Sequence, residues 1–256
     1  MIPKIIHLCW FSGDKYPILI NKCIDSWKRV LPDYEIKIWT YEMALSTDIP
    51  FVKQALNVKK WAFAADVIRL QALYEYGGLY MDSDVFLRRR FDEFLDNKVV
   101  FFFEHYPKMF ETEAKQIINS KGERIAEGNI QGLGIQAAFF AAEAGNSFIK
   151  QIIDHYASRS FILEDGTLNK VVSPMIFALE AEKIGLKYID EKQIIGDITI
   201  YPSKYVAGNR HLVNSKSFAA HLCNHSWHDK SAFKHFRRYI KSLLGWIFQG
   251  KSRIPI

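Results

Sequence analysis

The stretch that most constrains this chain is residues 61–86, WAFAADVIRLQALYEYGGLYMDSDVF. Trp61, Phe63, Ala64, Ala65, Val67, Ile68, Leu70, Ala72 and Leu73 make a helix over about 60–76 apolar nearly all round. Gly77-Gly78 ends it, since glycine takes a left-handed C-cap conformation without the usual penalty. Leu79-Tyr80-Met81 then reads as a short apolar strand that delivers Asp82-Ser83-Asp84 at its exit.

The rest of the chain repeats this alternation. A first strand is expected over 4–11, a helix over 21–31 stopped by Pro32, and an alternating strand over 34–40. Residues 99–103 form an uninterrupted apolar run short enough to be a buried strand. Further on come a strand over 135–142, a helix over 146–157, a helix over 173–184 with Ser173 as N-cap and Gly185 as stop, and a late strand pair over 194–206. Strands alternating with helices imply an α/β sandwich around a mostly parallel sheet. With 256 residues, 49% of them hydrophobic, the chain can build one well-buried core. The expected division is a catalytic domain over 1–227 and a basic helical tail over 228–256.

Asp82 and Asp84 lie two apart at a strand exit. In a continuing strand they would share a face; in a turn they can converge on one point. Converging carboxylates suit Mg²⁺ or Mn²⁺, which prefer oxygen ligands and complete their shell with phosphate and water. The same pattern also occurs in plain surface turns. Ligands of open α/β sheets gather at the carboxyl ends of strands, where this pair sits. Asp66 and Arg69, three apart, share a helix face. They are either a surface ion pair or, on so apolar a helix, a charged pair turned to a polar cleft, where Arg69 could meet a phosphate or sugar hydroxyl.

No segment approaches the roughly 18 apolar residues needed to span a bilayer. Residues 1–11 read as a first strand rather than a secretory signal, and Cys9, Cys23 and Cys223 are scattered and odd in number. Both observations lead to an expected cytoplasmic protein with reduced thiols. The formal net charge is +6, and from His228 onward seven Lys or Arg residues face Asp229 as the only acid. Mixed with Phe233, Phe236, Trp246 and Phe248, they suit an interfacial helix on an anionic membrane or a terminal helix packed on the domain. Basic residues form no long stripe elsewhere, which argues against nucleic acid.

The run Ala65-Asp66-Val67-Ile68-Arg69 through Tyr76-Gly77-Gly78-Leu79-Tyr80-Met81-Asp82-Ser83-Asp84 resembles the DXD region of the family 32 glycosyltransferases, of the capsular-polysaccharide and yeast initiating-mannosyltransferase-like kind. It is also similar to the core of the clostridial glucosylating toxins. Pro3 to Phe11, Cys23 to Trp39, and His221-Leu222-Cys223-Asn224-His225-Ser226-Trp227 extend the likeness over residues 3–227. The resemblance implies a GT-A fold, a Rossmann-like mixed sheet flanked by helices, and hexose transfer from a nucleotide sugar with retention of configuration. UDP-galactose or UDP-glucose is the implied donor, and a lipid-linked saccharide the implied acceptor, in capsule or surface polysaccharide assembly.

On the same footing, Asp84 would bind the metal directly, Asp82 the metal or the donor ribose, and His221 would stand beside the diphosphate and metal, unless it is a packed core histidine. Trp10 would stack on the base, unless it is a core tryptophan. Asp66 and Arg69 would hold the donor sugar, Gln136 would face it, and Ser226 with Trp227 would close over the diphosphate. Cys9 and Ser83, inside the matching motifs, join the donor-binding set. One departure is Leu222, where the family's ending carries a second histidine; this leaves the third protein ligand of the metal open. Two rivals remain: a haloacid-dehalogenase-type phosphatase with Asp82 as nucleophile, for which no downstream Gly-Asp-x-x-x-Asp pair follows, and a non-catalytic sugar-binding protein.

Overall fold

The computed structural model describes residues 1–223. The expected tail over 228–256, together with Asn224, His225, Ser226 and Trp227, lies outside the described residues. In chain order the elements are β1 (Ile5–Cys9), α1 (Ile18–Val30), β2 (Glu35–Trp39), α2 (Tyr41–Leu45), α3 (Pro50–Asn57), α4 (Trp61–Tyr76), β3 (Gly78–Met81) and β4 (Val85–Leu87). There follow β5 (Val99–His105), the single turn α5 (Pro107–Met109), β6 (Leu133–Ile135), β7 (Phe139–Ala142), α6 (Ser147–Ala157) and α7 (Ser173–Glu182). The last are β8 (Gln193–Ile195), β9 (Ile198–Tyr201), β10 (Val206–Ala207) and β11 (Ala219–His221).

The large sheet has the order β2-β1-β3-β7-β5-β9-β8, with β6 also paired to β5. The mostly parallel sheet expected from the alternation is corrected to a mixed one, as the resemblance implies. β2, β1 and β3 run parallel, as do β5 and β9, but β7 lies antiparallel between β3 and β5. A second sheet, β10-β11-β4, sits apart from it.

Strand alternation sorts the core into two layers. Val99, Phe101 and Phe103 of β5 join Phe140 and Tyr80 on the face covered by α3, α4, α6 and α7. Val100 and Phe102 join Leu79, Met81 and Phe139 on the face covered by α1 and the small sheet. Helix α4 is enclosed between the sheet and α3 with α6, which accounts for its lack of a polar side. Helix α1 is pinned to β4 by Trp27 Nε1, which donates to Val85 O at 2.7 Å, and by Ser26 Oγ, which accepts from Leu87 N at 2.9 Å.

Gly77 and Gly78 both have positive φ, 64° and 113°. At Gly78 a Cβ would stand 2.6 Å from Ile5 O and 3.2 Å from His7 Nε2, so no other residue lets β3 enter beside β1. His7 closes the junction: it is fully buried, accepts from Trp39 Nε1 on Nδ1 and donates from Nε2 to Gly77 O. Burial holds it neutral, below its ordinary pKa.

Two expected elements are redrawn in ways that matter for the site. The strand expected over 135–142 is broken into β6 and β7 by residues 136–138. Ser173 is the first residue of α7, not its N-cap; its hydroxyl pairs with Tyr156 OH at 2.9 Å instead of capping. Among the described residues no helix is long and apolar enough to cross a membrane.

Candidate active site

The site forms where β3 ends. Val85 N–H donates to Asp82 O, closing a tight turn over 82–85, and Asp82 N–H donates to Ala138 O, each at 2.9 Å. The turn brings the Asp82 and Asp84 carboxylates toward one point. Strand β11 supplies a third group, because its antiparallel register sets His221 opposite Val85 and Leu222 N–H donates to Asp84 O at 3.0 Å. His221 Nε2 lies 3.3 Å from Asp84 Oδ1 and 4.0 Å from Asp82 Oδ2. The ligand atoms of all three lie within 4.8 Å of one another.

Two ligands of one ion, each about 2.1 Å from it, stand at most about 4.2 Å apart, so the donor set would close in slightly to hold a hard divalent cation. Burial works against charge on His221, but the Asp84 carboxylate outweighs it and holds the imidazole well above its ordinary pKa. A metal bound there would have to displace that proton.

Beside this set lies a buried cluster centred on Arg69 of α4. Its Nη2 lies 3.0 Å from Asp66 Oδ1 and 3.4 Å from Asp82 Oδ1. Nε donates to Ala65 O at 3.0 Å and Nη1 to Ala137 O at 2.6 Å, so the guanidinium is held on every side. Tyr80 OH donates to the same Asp82 oxygen at 2.7 Å, and Arg69 stacks over its ring at 4.6 Å. Asp66 is pushed up to about 6, by burial first, with Arg69 and Ser173 opposing. The expectation of a surface ion pair is thus excluded for Asp66 and Arg69, which are only 9% and 4% exposed.

Cys9, at the end of β1, belongs to the same neighbourhood; burial pushes its thiol up to about 12. Trp10 follows it, half-buried, its Nε1 donating to Asp14 O at 2.8 Å and its ring meeting Tyr16 edge-on at 4.8 Å. Ser83 is half-buried in the turn between the two aspartates. Gln136 is buried, and both ends of its amide are occupied: Oε1 accepts from Ala138 N at 3.0 Å and Nε2 donates to Glu104 Oε1 at 3.4 Å.

Two residues here were not among the expected site residues. Tyr80 orients Asp82, and Glu104 stands at the carboxyl end of β5. The second carried a signal: it is the first ionisable residue after five apolar ones in a central strand, at the end where ligands gather.

The fold is the GT-A fold, an α/β mixed sheet flanked by helices. The solved structure of the PaToxG glycosyltransferase shares it, with a TM-score of 0.50, 18% identity, and 71% of this chain and 69% of that chain covered. Residues 1–161 match the family model described as capsular polysaccharide synthesis protein, and the chain belongs to that family. It is 37% identical over 113 residues to inositol phosphoceramide mannosyltransferase 3 of Schizosaccharomyces pombe, which covers 41% of this chain and 28% of that protein. It is 33% identical over 102 residues to the mannosyl phosphorylinositol ceramide synthase CSH1 of Saccharomyces cerevisiae, covering 37% of this chain and 26% of that protein. The chain thus spans little more than a quarter of these curated relatives.

Proposed function

We propose that this chain is a metal-dependent, retaining glycosyltransferase that moves a hexose from a nucleotide sugar to a saccharide acceptor. The observation that carries the reading is the convergence of Asp82, Asp84 and His221, ligand atoms within 4.8 Å, against the buried Asp66–Arg69 pair. Mn²⁺ or Mg²⁺ held by Asp84, His221 and Asp82 would offset the charge that builds on a departing diphosphate.

The chain's own residues do the rest by orientation and fixed charge. Arg69 holds Asp82 at one angle and presents positive charge at the sugar end of the donor, while Asp66 accepts from sugar hydroxyls. Trp10 offers its ring to the base. Ser226 and Trp227 keep the diphosphate-closing role implied by the family ending. The donor we favour is UDP-galactose or UDP-glucose; the mannosyltransferase names of the fungal relatives put GDP-mannose into the same test. Those names also support a lipid-borne acceptor, consistent with surface polysaccharide assembly at the inner face of a membrane to which the basic tail over 228–256 would bind.

The test is thermal stability across a panel of nucleotide sugars, with and without Mn²⁺, in the wild type and in Asp84→Ala. A ligand bound only by the folded state raises Tm by mass action. We expect one donor to raise it in a Mn²⁺-dependent way that Asp84→Ala abolishes. No shift with any nucleotide sugar would return the phosphatase and sugar-binding alternatives, and hydrolysis of a simple phosphate ester would favour the former.

A further inference from the structure

Glu104 sits one step past the apolar run of β5, and strand alternation decides where it points. Phe101, Phe103 and His105 face one way; Val100, Phe102 and Glu104 face the side of the small sheet that carries His221. Its two carboxylate oxygens are in unlike situations. Oε1 is fixed, accepting from Tyr106 OH at 3.0 Å and from Gln136 Nε2 at 3.4 Å. Oε2 has no hydrogen-bond partner among the described residues.

Gly208 lets the chain pack close against the fixed oxygen: a Cβ there would stand 3.0 Å from Tyr106 OH and 3.3 Å from Glu104 Oε1. The group is close enough to His221 and Asp82 to feel their charge, yet it falls outside the set whose ligand atoms lie within 4.8 Å of one another. It is therefore beside the metal-holding residues without being one of them.

An unprotonated carboxylate only accepts hydrogen bonds, so it recognises hydroxyl groups and repels phosphate. The Asp66–Arg69 pair lies on α4, which covers the opposite face of the sheet. Glu104 lies on β5, at the root of the excursion over 106–132 that joins β5 to β6. We propose that Glu104 is an acceptor-binding residue: its open carboxylate oxygen receives a hydrogen bond from a hydroxyl of a neutral saccharide acceptor and orients that sugar toward the donor. Tyr106 and Gln136 are positioning residues that hold the other oxygen. This inference rests on the glycosyltransferase reading above.

The experiment compares two activities of the full chain with Mn²⁺ and the nucleotide sugar that stabilises the wild type. One is release of nucleotide diphosphate without acceptor; the other is transfer to octyl glucoside, octyl galactoside and octyl mannoside. Loss of a hydrogen bond to a charged group lets Glu104→Gln lower transfer about 10- to 100-fold. Acceptor-free hydrolysis and the Mn²⁺-dependent rise in Tm should stay within about twofold, since the donor side is untouched. Tyr106→Phe should show the same split, more weakly. Equal losses of transfer and hydrolysis in Glu104→Gln, or unchanged transfer, would overturn the assignment. A wild type without any Mn²⁺-dependent donor binding would remove the glycosyltransferase reading itself, and the acceptor role with it.

Discussion

Two arginines in this molecule each bridge a pair of aspartates, and they do opposite things. On the surface, Arg90 meets Asp33 through Nη2 at 2.8 and 3.0 Å and Asp92 through Nε at 2.5 Å, while Lys4 adds a contact to Asp33 at 2.7 Å. In the interior, Arg69 meets Asp66 and Asp82 at 3.0 and 3.4 Å. By distance alone the surface cluster is the better one. Solvent reverses the ranking: the Arg90 side chain is 44% exposed and that of Arg69 5%. Water and salt weaken the first, whereas the guanidinium of the second is desolvated and held in one geometry.

The two carboxylates record the difference. Hydrogen bonds from Lys4 and Arg90 hold Asp33 down at about 2, while burial lifts Asp66 to about 6 despite an arginine at 3.0 Å. An exposed cluster relaxes to suit its charges. A buried one keeps its geometry at a cost, and that fixed geometry is what a binding site needs.

Breaking the interior cluster should have the largest effect. Arg69→Lys keeps the charge but cannot serve Ala65 O, Ala137 O, Asp66 and Asp82 together, so about 3–5 kcal/mol of stability is expected to be lost. Donor-dependent activity should fall by on the order of 10²–10³. Chemical denaturation and steady-state rates check both, and a variant as stable and active as the wild type would erase the contrast between the clusters.

Next comes pH. The Asp66 carboxyl is raised in the folded chain, so between the ordinary aspartate value and about 6 the folded state binds the proton more tightly than the unfolded one. Its contribution is therefore most favourable in acid and is lost as pH rises through about 6. Asp66→Asn cannot ionise, so its Tm relative to wild type should climb between pH 4.5 and 7.5 while its activity is impaired. A constant difference across that range would mean that Asp66 is not desolvated as described. Asp33 has the opposite sign: its lowered value gives stability that is present above the ordinary aspartate range and lost only as pH falls toward about 2.

The smallest effect is reserved for the surface. Arg90→Ala should shift Tm by no more than about 2 °C, less still in 0.5 M salt, and leave turnover within about twofold. A larger loss would show that the exposed cluster is not the weaker one.

Much of this architecture was legible because it is written in single residues. The apolar helix, Gly77-Gly78, the short strand and Asp82-Ser83-Asp84 predict the β3 exit in the right place, since each has one favourable conformation. What escaped is long-range. No local pattern tells that residues 219–221 pair antiparallel with β4 and carry His221 to Asp84; only the resemblance of the chain's ending placed it there. The antiparallel run of β7 was hidden as well, because Phe139-Phe140-Ala141-Ala142 is apolar on both faces and reads the same in either direction. Glu104 was passed over as the polar end of an apolar run.

The interruption between β6 and β7 has a consequence for how this site tolerates change. Across three successive positions, the Gln136 amide reaches Glu104, the Ala137 carbonyl receives Arg69 and the Ala138 carbonyl receives Asp82. Two of these three contacts are made by peptide oxygens freed from the ladder, so a comparison of side chains would pass over both alanines as unremarkable. Deleting one residue here would undo all three contacts together, which no exchange of alanine for serine could do. The segment behaves as a spacer whose length, more than its spelling, is under constraint.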